Sequence, residues 1–338
     1  MTWLCSRNIR LSLAVSGLMI AAGQPAHAAA QAGRPVLSVP VECDLATLCS
    51  IQKYVDRAPG PQRQDYRCGS LVTDGHDGTD IRLRNLPDMA RNVPVVAAAD
   101  GVVLRVRDGM ADANVRATGA AAIGDRLAGN AVVIDHGQGW VTQYSHLKQG
   151  SVVAKPGQAV KGGQRIGAIG MSGNAEFAHL HFEVRHDGRS IDPFAPGAAT
   201  GCASEPAPLW SAAAMRQLAY REAEVLAAGF ATDPESALGM RHRADRATLY
   251  ANPASLILWG TATGARDGDE QQFVITGPSG GAVLDRNVRV AKGGLDWVGF
   301  AGVRRPAAGW QPGRYEGRYT LKRGGKNIGS RTTIILLK

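Results

Sequence analysis

Between residues 68 and 200 the chain is a succession of short apolar runs cut off by glycine, aspartate and proline. That punctuation narrows the possible folds more than any other feature. NVPVVAAADGVVLRVRDG, NAVVIDHGQGWVTQYSHL, GSVVAKPGQAVKGGQRIGAIG and HLHFEVRHDGRSI each hold strand-forming side chains between turn residues. Short runs of that kind predict antiparallel β-structure with tight turns. HDGRS, between FEVR and IDPF, contains the Asp-Gly of a two-residue hairpin turn. Only residues 108–128 lack a strand pattern, and they read as an irregular surface insertion.

The last of these runs, AHLHFEVR (178–185), places His179 and His181 two residues apart. Residues i and i+2 of a strand point to the same side, with Cα atoms roughly 6.5–7 Å apart. Two imidazoles so placed can converge on a metal ion and its water, although two solvated surface histidines are the plainer reading of HxH alone. A second cluster, GHDGTD (75–80), carries His76 and Asp80. Gly75 and Gly78 disfavour a helix there. In a straight strand the two Cα atoms would lie about 13 Å apart, so a bend at Gly78 is needed to bring the side chains together. His76, Asp80 and one histidine of HLH then make two histidines and one carboxylate. That is the three-protein-ligand set of a catalytic zinc site, with the fourth position open to water. The other histidine of HLH is left for proton transfer or for holding an oxyanion. QYSHL supplies a further candidate, His146, on a strand able to neighbour HLH.

The remaining sequence sets the context. Arg7 and Arg10, the apolar run LSLAVSGLMIAAG and Ala26-His27-Ala28 have the layout of a secretory signal peptide over residues 1–28. Its apolar run is too short to span a bilayer, and no later segment is apolar enough to be an integral membrane span. Without Cys5 of the leader, Cys43, Cys49, Cys68 and Cys202 remain, an even number suited to an oxidising compartment. Cys43–Cys49 as a local loop and Cys68–Cys202 as a clasp are the expected pairs. A structural zinc cluster would need closer cysteine pairs. The formal net charge of +9 includes Arg7 and Arg10, leaving +7 on the rest. A basic exported protein is drawn to anionic surfaces such as cell wall. Nucleic acid is a poor fit, because the basic residues are scattered and not interleaved with aromatics.

Residues 29–67 form a linker and a disulfide-bearing N-terminal extension, and 199–208 a domain boundary. WSAAAMRQLAYREAEVLAAGF predicts a helix stopped at Gly229 within a 201–243 linker. Over 244–338 six further strand runs, from SLILWGTAT to SRTTIILLK, predict an immunoglobulin-like β-sandwich. It carries no chemical constellation, and its neighbour His242 is expected to be exposed.

GHDGTDI, QYSHL, IGMSGN and HLHFEVRHDG…DPF, in that order, resemble the lysostaphin/LytM-type zinc metallopeptidases over residues 68–196. The resemblance implies a mainly β domain over 68–200, an antiparallel β-sheet groove of the duplicated-hybrid-motif type, that cleaves peptide bonds of peptidoglycan stems or cross-links through a zinc-bound water. It makes His76, Asp80 and His181 the ligands of one Zn2+ and His146 and His179 the catalytic pair beside it. Family members commonly have proline where this chain has Ala178, which changes no ligand. The competing reading is a non-catalytic wall-binding or hydrolase-activating protein of the same fold, but such members lack ligands, and here all five site residues are present. The expected location is the periplasm of a Gram-negative cell or the exterior, with peptidoglycan as partner and a monomer as the favoured state. Residues 41–67 could lie over the groove and keep it latent. Elsewhere, His136 reads as a structural turn histidine, His186 as exposed in the hairpin, Trp140 and Tyr144 as core or groove wall, and Asn130 as a possible groove residue.

Overall fold

A computed structural model describes residues 33–197, 207–239 and 252–338. The leader, Cys202 and His242 lie outside the described residues. The glycine-punctuated runs form strands: β1 (Cys49–Lys53), β2 (Thr79–Leu83), β3 (Pro94–Val96), β4 (Gly101–Arg107), β5 (Asn130–Gly137), β6 (Trp140–Leu147), β7 (Ala159–Val160), β8 (Arg165–Ala168), β9 (His179–His186) and β10 (Arg189–Ile191). The main sheet runs β1-β2-β9-β6-β5-β4-β7, with β10 folded back on β9 and β3 paired separately with β8. All of these pairings are antiparallel. Asp187 and Gly188 turn β9 into β10 with φ of 48° and 77°, the left-handed pair that a two-residue hairpin demands.

Alternation decides what each face of this sheet does. Leu180, Phe182 and Val184 of β9 join Tyr144, Val132 and Ile134 in a core that also takes in Val95, Ile166, Phe194 and Trp210. Every second residue, His179, His181 and Glu183, is thereby turned to the opposite face.

The N-terminal extension is part of this sheet rather than a cover over it. Strand β1 pairs with β2 through Cys49↔Leu83 and Ile51↔Ile81, and the Cys43–Cys49 disulfide pins its entry with Cα atoms 6.0 Å apart. Cys68 is disulfide-bonded as well. The insertion at 108–128 holds only short helical turns, among them α1 (Val115–Thr118). Its Asp112 carboxylate accepts from the Met171 and Gln149 amides at 2.6 and 3.0 Å, which fastens it to the approach to β9.

The expected single helix before Gly229 is corrected by the structure. It shows a six-residue helix, α2 (Ala212–Gln217), capped by Ser211 Oγ on the Ala214 amide, and then a strand, β11 (Glu224–Ala231). Alanine-rich EVLAAGFA has helical propensity, but pairing with β12 (Ser255–Thr263) overrides it, with Gly229 opposite Trp259. The glycine is therefore a strand residue, not a helix stop.

After a second short helix, α3 (Pro234–Gly239), the six expected strands follow: β12, β13 (Glu270–Thr276), β14 (Ala282–Arg289), β15 (Trp297–Arg304), β16 (Gly313–Arg323) and β17 (Lys326–Leu337). They form sheets β11-β12-β15 and β14-β13-β16-β17. Val225, Phe230 and Leu258 of one face Phe273, Tyr319 and Ile335 of the other in one core. The sheets close tightly at Gly260, where a Cβ would lie 2.2 Å from the Tyr319 ring.

A buried ion pair joins the sandwich to the main sheet. The Arg84 guanidinium pairs with Glu224 of β11 and donates to Val225 O and Leu45 O, each at 3.1 Å. Ser50 Oγ of β1 donates to the second Glu224 oxygen at 2.6 Å. Removing one partner of a buried pair strands the other charge. Glu224→Ala is therefore expected to destabilise the fold by about 3 kcal/mol, read as a lowered denaturant midpoint, whereas Glu316→Ala on the exposed face of β16 leaves it nearly unchanged.

Candidate active site

The register of β2 against β9 sets Asp80 opposite His181 and Arg82 opposite His179. Cross-strand partners share a face, so these four side chains stand together on the side away from the core. His76 arrives from the turn before β2, where Gly75 adopts φ 68°. His76 Nε2 lies 3.1 Å from Asp80 Oδ1, His181 Nδ1 lies 2.9 Å from the same oxygen, and His179 Nε2 lies 3.6 Å away. Donor atoms of His76, Asp80 and His181 all fall within 4.8 Å of one another, close enough to hold a metal ion. Gly78 keeps that space open: a Cβ there would stand 2.7 Å from His181 Nε2 and 2.8 Å from Phe182 O.

His146 reaches the same face by a different device. Ser145 is paired with His181, so regular alternation would turn His146 into the opposite face. The β5–β6 register slips between Asn130 and Val132, and His146 adopts φ 62°. This bulge re-aims the ring, whose centroid stands 4.6 Å from that of His179. Left-handed backbone at a non-glycine residue costs of order 1–3 kcal/mol. Ser172, from IGMSGN, offsets it: its carbonyl binds His146 Nδ1 at 2.8 Å, while its hydroxyl donates to Leu147 O and accepts from the Asn130 amide.

Three of the four histidines have their tautomer set by the backbone. His76 Nδ1 meets Tyr54 O at 2.7 Å, His146 Nδ1 meets Ser172 O, and His179 Nδ1 meets Phe177 O at 2.9 Å. A carbonyl only accepts, so each Nδ1 carries a proton and Nε2 is the nitrogen that faces the site. Burial, reinforced by the His179 and His181 rings, holds His146 well below the usual imidazole range. Burial also pushes His179 down to about 4, against the pull of Asp80. Burial would raise Asp80, but His76, His179, Lys53 and the bond from His181 hold it well below the usual carboxylate range. His181 differs: burial opposes its charge, yet Asp77 and Asp80 accept from its two nitrogens and raise it to about 9.

A cation fits this donor set. Asp80 Oδ2 is buried and accepts no hydrogen bond, with the Lys53 ammonium 3.0 Å away as its neighbouring charge. Two imidazole nitrogens and a carboxylate are the donors that zinc takes in catalytic sites. Lys53, Asp77, Phe177 and Arg82 also border the site. Asp77 lies inside GHDGTD, but nothing in the sequence marks the other three.

The remaining candidates are structural. His136 sits within β5, not in a turn, and is fixed between Asp100 O at 2.7 Å and Thr142 Oγ1 at 2.8 Å. Asn130 is buried and bonds Met110 and Leu147 rather than lining the groove. Tyr144 is core, with its hydroxyl accepting from the Ala98 amide. Trp140 stacks on the half-exposed His186 ring at 4.1 Å.

A site of this build, on an antiparallel sheet with this motif order, defines a metallopeptidase domain. Residues 74–193 match Peptidase family M23, and the chain carries a domain of that family. It is 35% identical over 117 residues to the peptidoglycan DD-endopeptidase ShyA of Vibrio cholerae, covering 35% of this chain and 22% of that protein. It is 33% identical over 132 residues to ShyB of the same organism, covering 39% and 25%. The chain thus spans about a quarter of the length of these relatives. A solved zinc-containing peptidase from Vibrio cholerae is 29% identical, covering 42% of this chain and 38% of that one, at a TM-score of 0.27.

Two outcomes follow from the geometry. Gly78→Ala is expected to displace His181 and weaken divalent-metal uptake tenfold or more, the scale of a disturbed ligand support, while far-ultraviolet circular dichroism stays unchanged. Equilibrium dialysis against zinc reads the loss. A cation binding at His181 must also displace the proton held there. Zinc affinity is therefore expected to rise with pH, roughly tenfold per unit, up to about 9 where His181 deprotonates unaided. Chelator competition at stepped pH checks the slope.

Proposed function

We propose that this protein is an exported, zinc-dependent endopeptidase that hydrolyses peptide bonds in peptidoglycan stem peptides or their cross-links. The reading rests on one observation above the others: His76, Asp80, His181, His146 and His179 converge on a single point of one sheet face. A purely structural metal site would be closed by a fourth protein ligand, and it would give no reason to maintain a left-handed His146 beside it.

In this proposal His76, Asp80 and His181 hold one zinc, and His146 and His179 act on the reactants. Bound zinc supplies a Lewis acid that polarises the scissile carbonyl and acidifies water. His146 and His179 rest neutral with Nε2 unprotonated, so each is prepared to accept a proton rather than give one. One takes the proton of the attacking water as the oxygen bonds to the carbonyl carbon. Having become a donor, it returns that proton to the amide nitrogen as the C–N bond breaks. The other stands within 4.6 Å, ring to ring, to share the charge that develops. The relatives named as peptidoglycan DD-endopeptidases support D,D cross-links as the target. The signal-peptide layout supports action in a periplasm or outside the cell. Among the described residues no helix is long and apolar enough to cross a membrane.

Zinc content and muropeptide release from purified sacculi test the reading together. Wild-type protein is expected to hold about one zinc and to release uncross-linked stem peptides, while His181→Ala loses both. His146→Ala and His179→Ala are expected to keep zinc and lose about 10²–10⁴-fold in kcat. Zinc uptake with no bond cut in any wall type would overturn the enzymatic reading.

A further inference from the structure

Arg82 is a buried cation on the site face that the proposed hydrolysis does not use. It lies opposite His179 in the β2–β9 register, and its guanidinium covers the Phe177 ring at 4.4 Å. That ring in turn stands 4.5 Å from the His179 ring. The Arg82 side chain is only 3% exposed, and a carboxylate from the accessory sandwich helps to cover it: Asp296 Oδ1 lies 3.3 Å from Nη1. Gln52 Oε1 accepts from the same nitrogen at 3.0 Å.

The segment that carries Asp296 is held in place. Gly293 N–H donates to Asp267, Gly294 N–H to Ala265 O, and Leu295 O accepts from the Thr263 hydroxyl, each at 2.8 Å. Leu295 packs against the core of the main sheet. The sandwich thus delivers one fixed carboxylate to an arginine, on a flat aromatic face, two residues along β2 from the Asp80–His181 pair. An extended peptide bound along β2 and β9 would present a side-chain or α-carboxylate to the same place. Guanidinium on a ring face is well suited to receive it.

We propose that Arg82 is the groove's receptor for a carboxylate of the substrate peptide, and that Asp296 is a tethered competitor that occupies it beforehand. This rests on the peptidoglycan reading only for the identity of the peptide. Stem peptides fit, because a γ-linked glutamate leaves its α-carboxylate free. Substrate must displace Asp296 before it binds, so apparent affinity is reduced by the fraction of molecules in which Arg82 is available. The accessory sandwich then sets which peptides enter, discriminating by charge.

The test titrates an uncross-linked stem tetrapeptide, and its fully amidated form, into zinc-loaded wild type, Asp296→Ala and Arg82→Gln by calorimetry. Asp296→Ala is expected to bind the acidic peptide about tenfold more tightly than wild type and the amidated peptide no better. Arg82→Gln is expected to lose the preference for the acidic form. Thermal unfolding and zinc content confirm intact folds. Should Arg82→Gln fail to fold, the Asp296→Ala comparison of the two peptides decides alone. No gain in Asp296→Ala, an equal gain for the amidated peptide, or no binding by any variant overturns the proposal. A carboxylate-dependent gain in a protein that releases no muropeptides would refute the endopeptidase reading and leave this one standing.

Discussion

The site depends on a single backbone register. Pairing Asp80 with His181 across β2 and β9 decides which side chains share a face. A slip of one residue would bury His179 and His181 in the core and turn Leu180 and Phe182 to solvent. The apolar residues between the histidines therefore fix the chemistry: Leu180, Phe182 and Val184 are buried among Val132, Ile134 and Tyr144, and each anchors its polar neighbours on the opposite side. Hydrophobic burial of the strand thus sets the face from which the β9 imidazoles project, and the Phe177 carbonyl on His179 Nδ1 helps to fix that ring.

Charge is arranged around one buried carboxylate. Asp80 is almost wholly shielded from water and would be costly to ionise alone. Lys53, His76 and His181 surround it within about 3 Å. The same surroundings keep His146 and His179 neutral, since burial and like-charge neighbours oppose a second and third positive ring. One imidazole holds the proton and two are ready to accept one. That difference comes from position relative to Asp77 and Asp80, not from residue type.

The sequence made the sheet, its hairpins and the five converging residues legible because period-two alternation and turn chemistry are local signals. Gly78 is legible between His76 and Asp80, and its role follows from the absence of a Cβ, which leaves room for the His181 ring. His146 was legible only through its motif. Alternation alone turns it the wrong way, and the bulged register that corrects it is held by the Ser172 carbonyl, 26 residues further along the chain. Strand β11 was hidden because EVLAAGFA favours a helix until β12 pairs with it. Arg84, Glu224 and the Arg82–Asp296 pair were illegible for a related reason: each joins residues more than a hundred positions apart, and neither end sits in a distinctive pattern.

The N-terminal extension looks from sequence like a removable cover, and its contacts argue otherwise. Tyr54 supplies the carbonyl that fixes the tautomer of His76, and Lys53 supplies a charge that stabilises Asp80. Asp56 binds the Gly75 amide at 2.9 Å, and its own amide donates to His76 O at 2.7 Å. Three residues of the extension, Lys53, Tyr54 and Asp56, thus support the turn that delivers His76 and the carboxylate beside it. Cleaving it away would open no groove. It would release His76 from its carbonyl partner and expose the edge of β2. The site is a product of three stretches of chain, and the family-matched segment 74–193 holds every candidate ligand while lacking the residues that orient one of them.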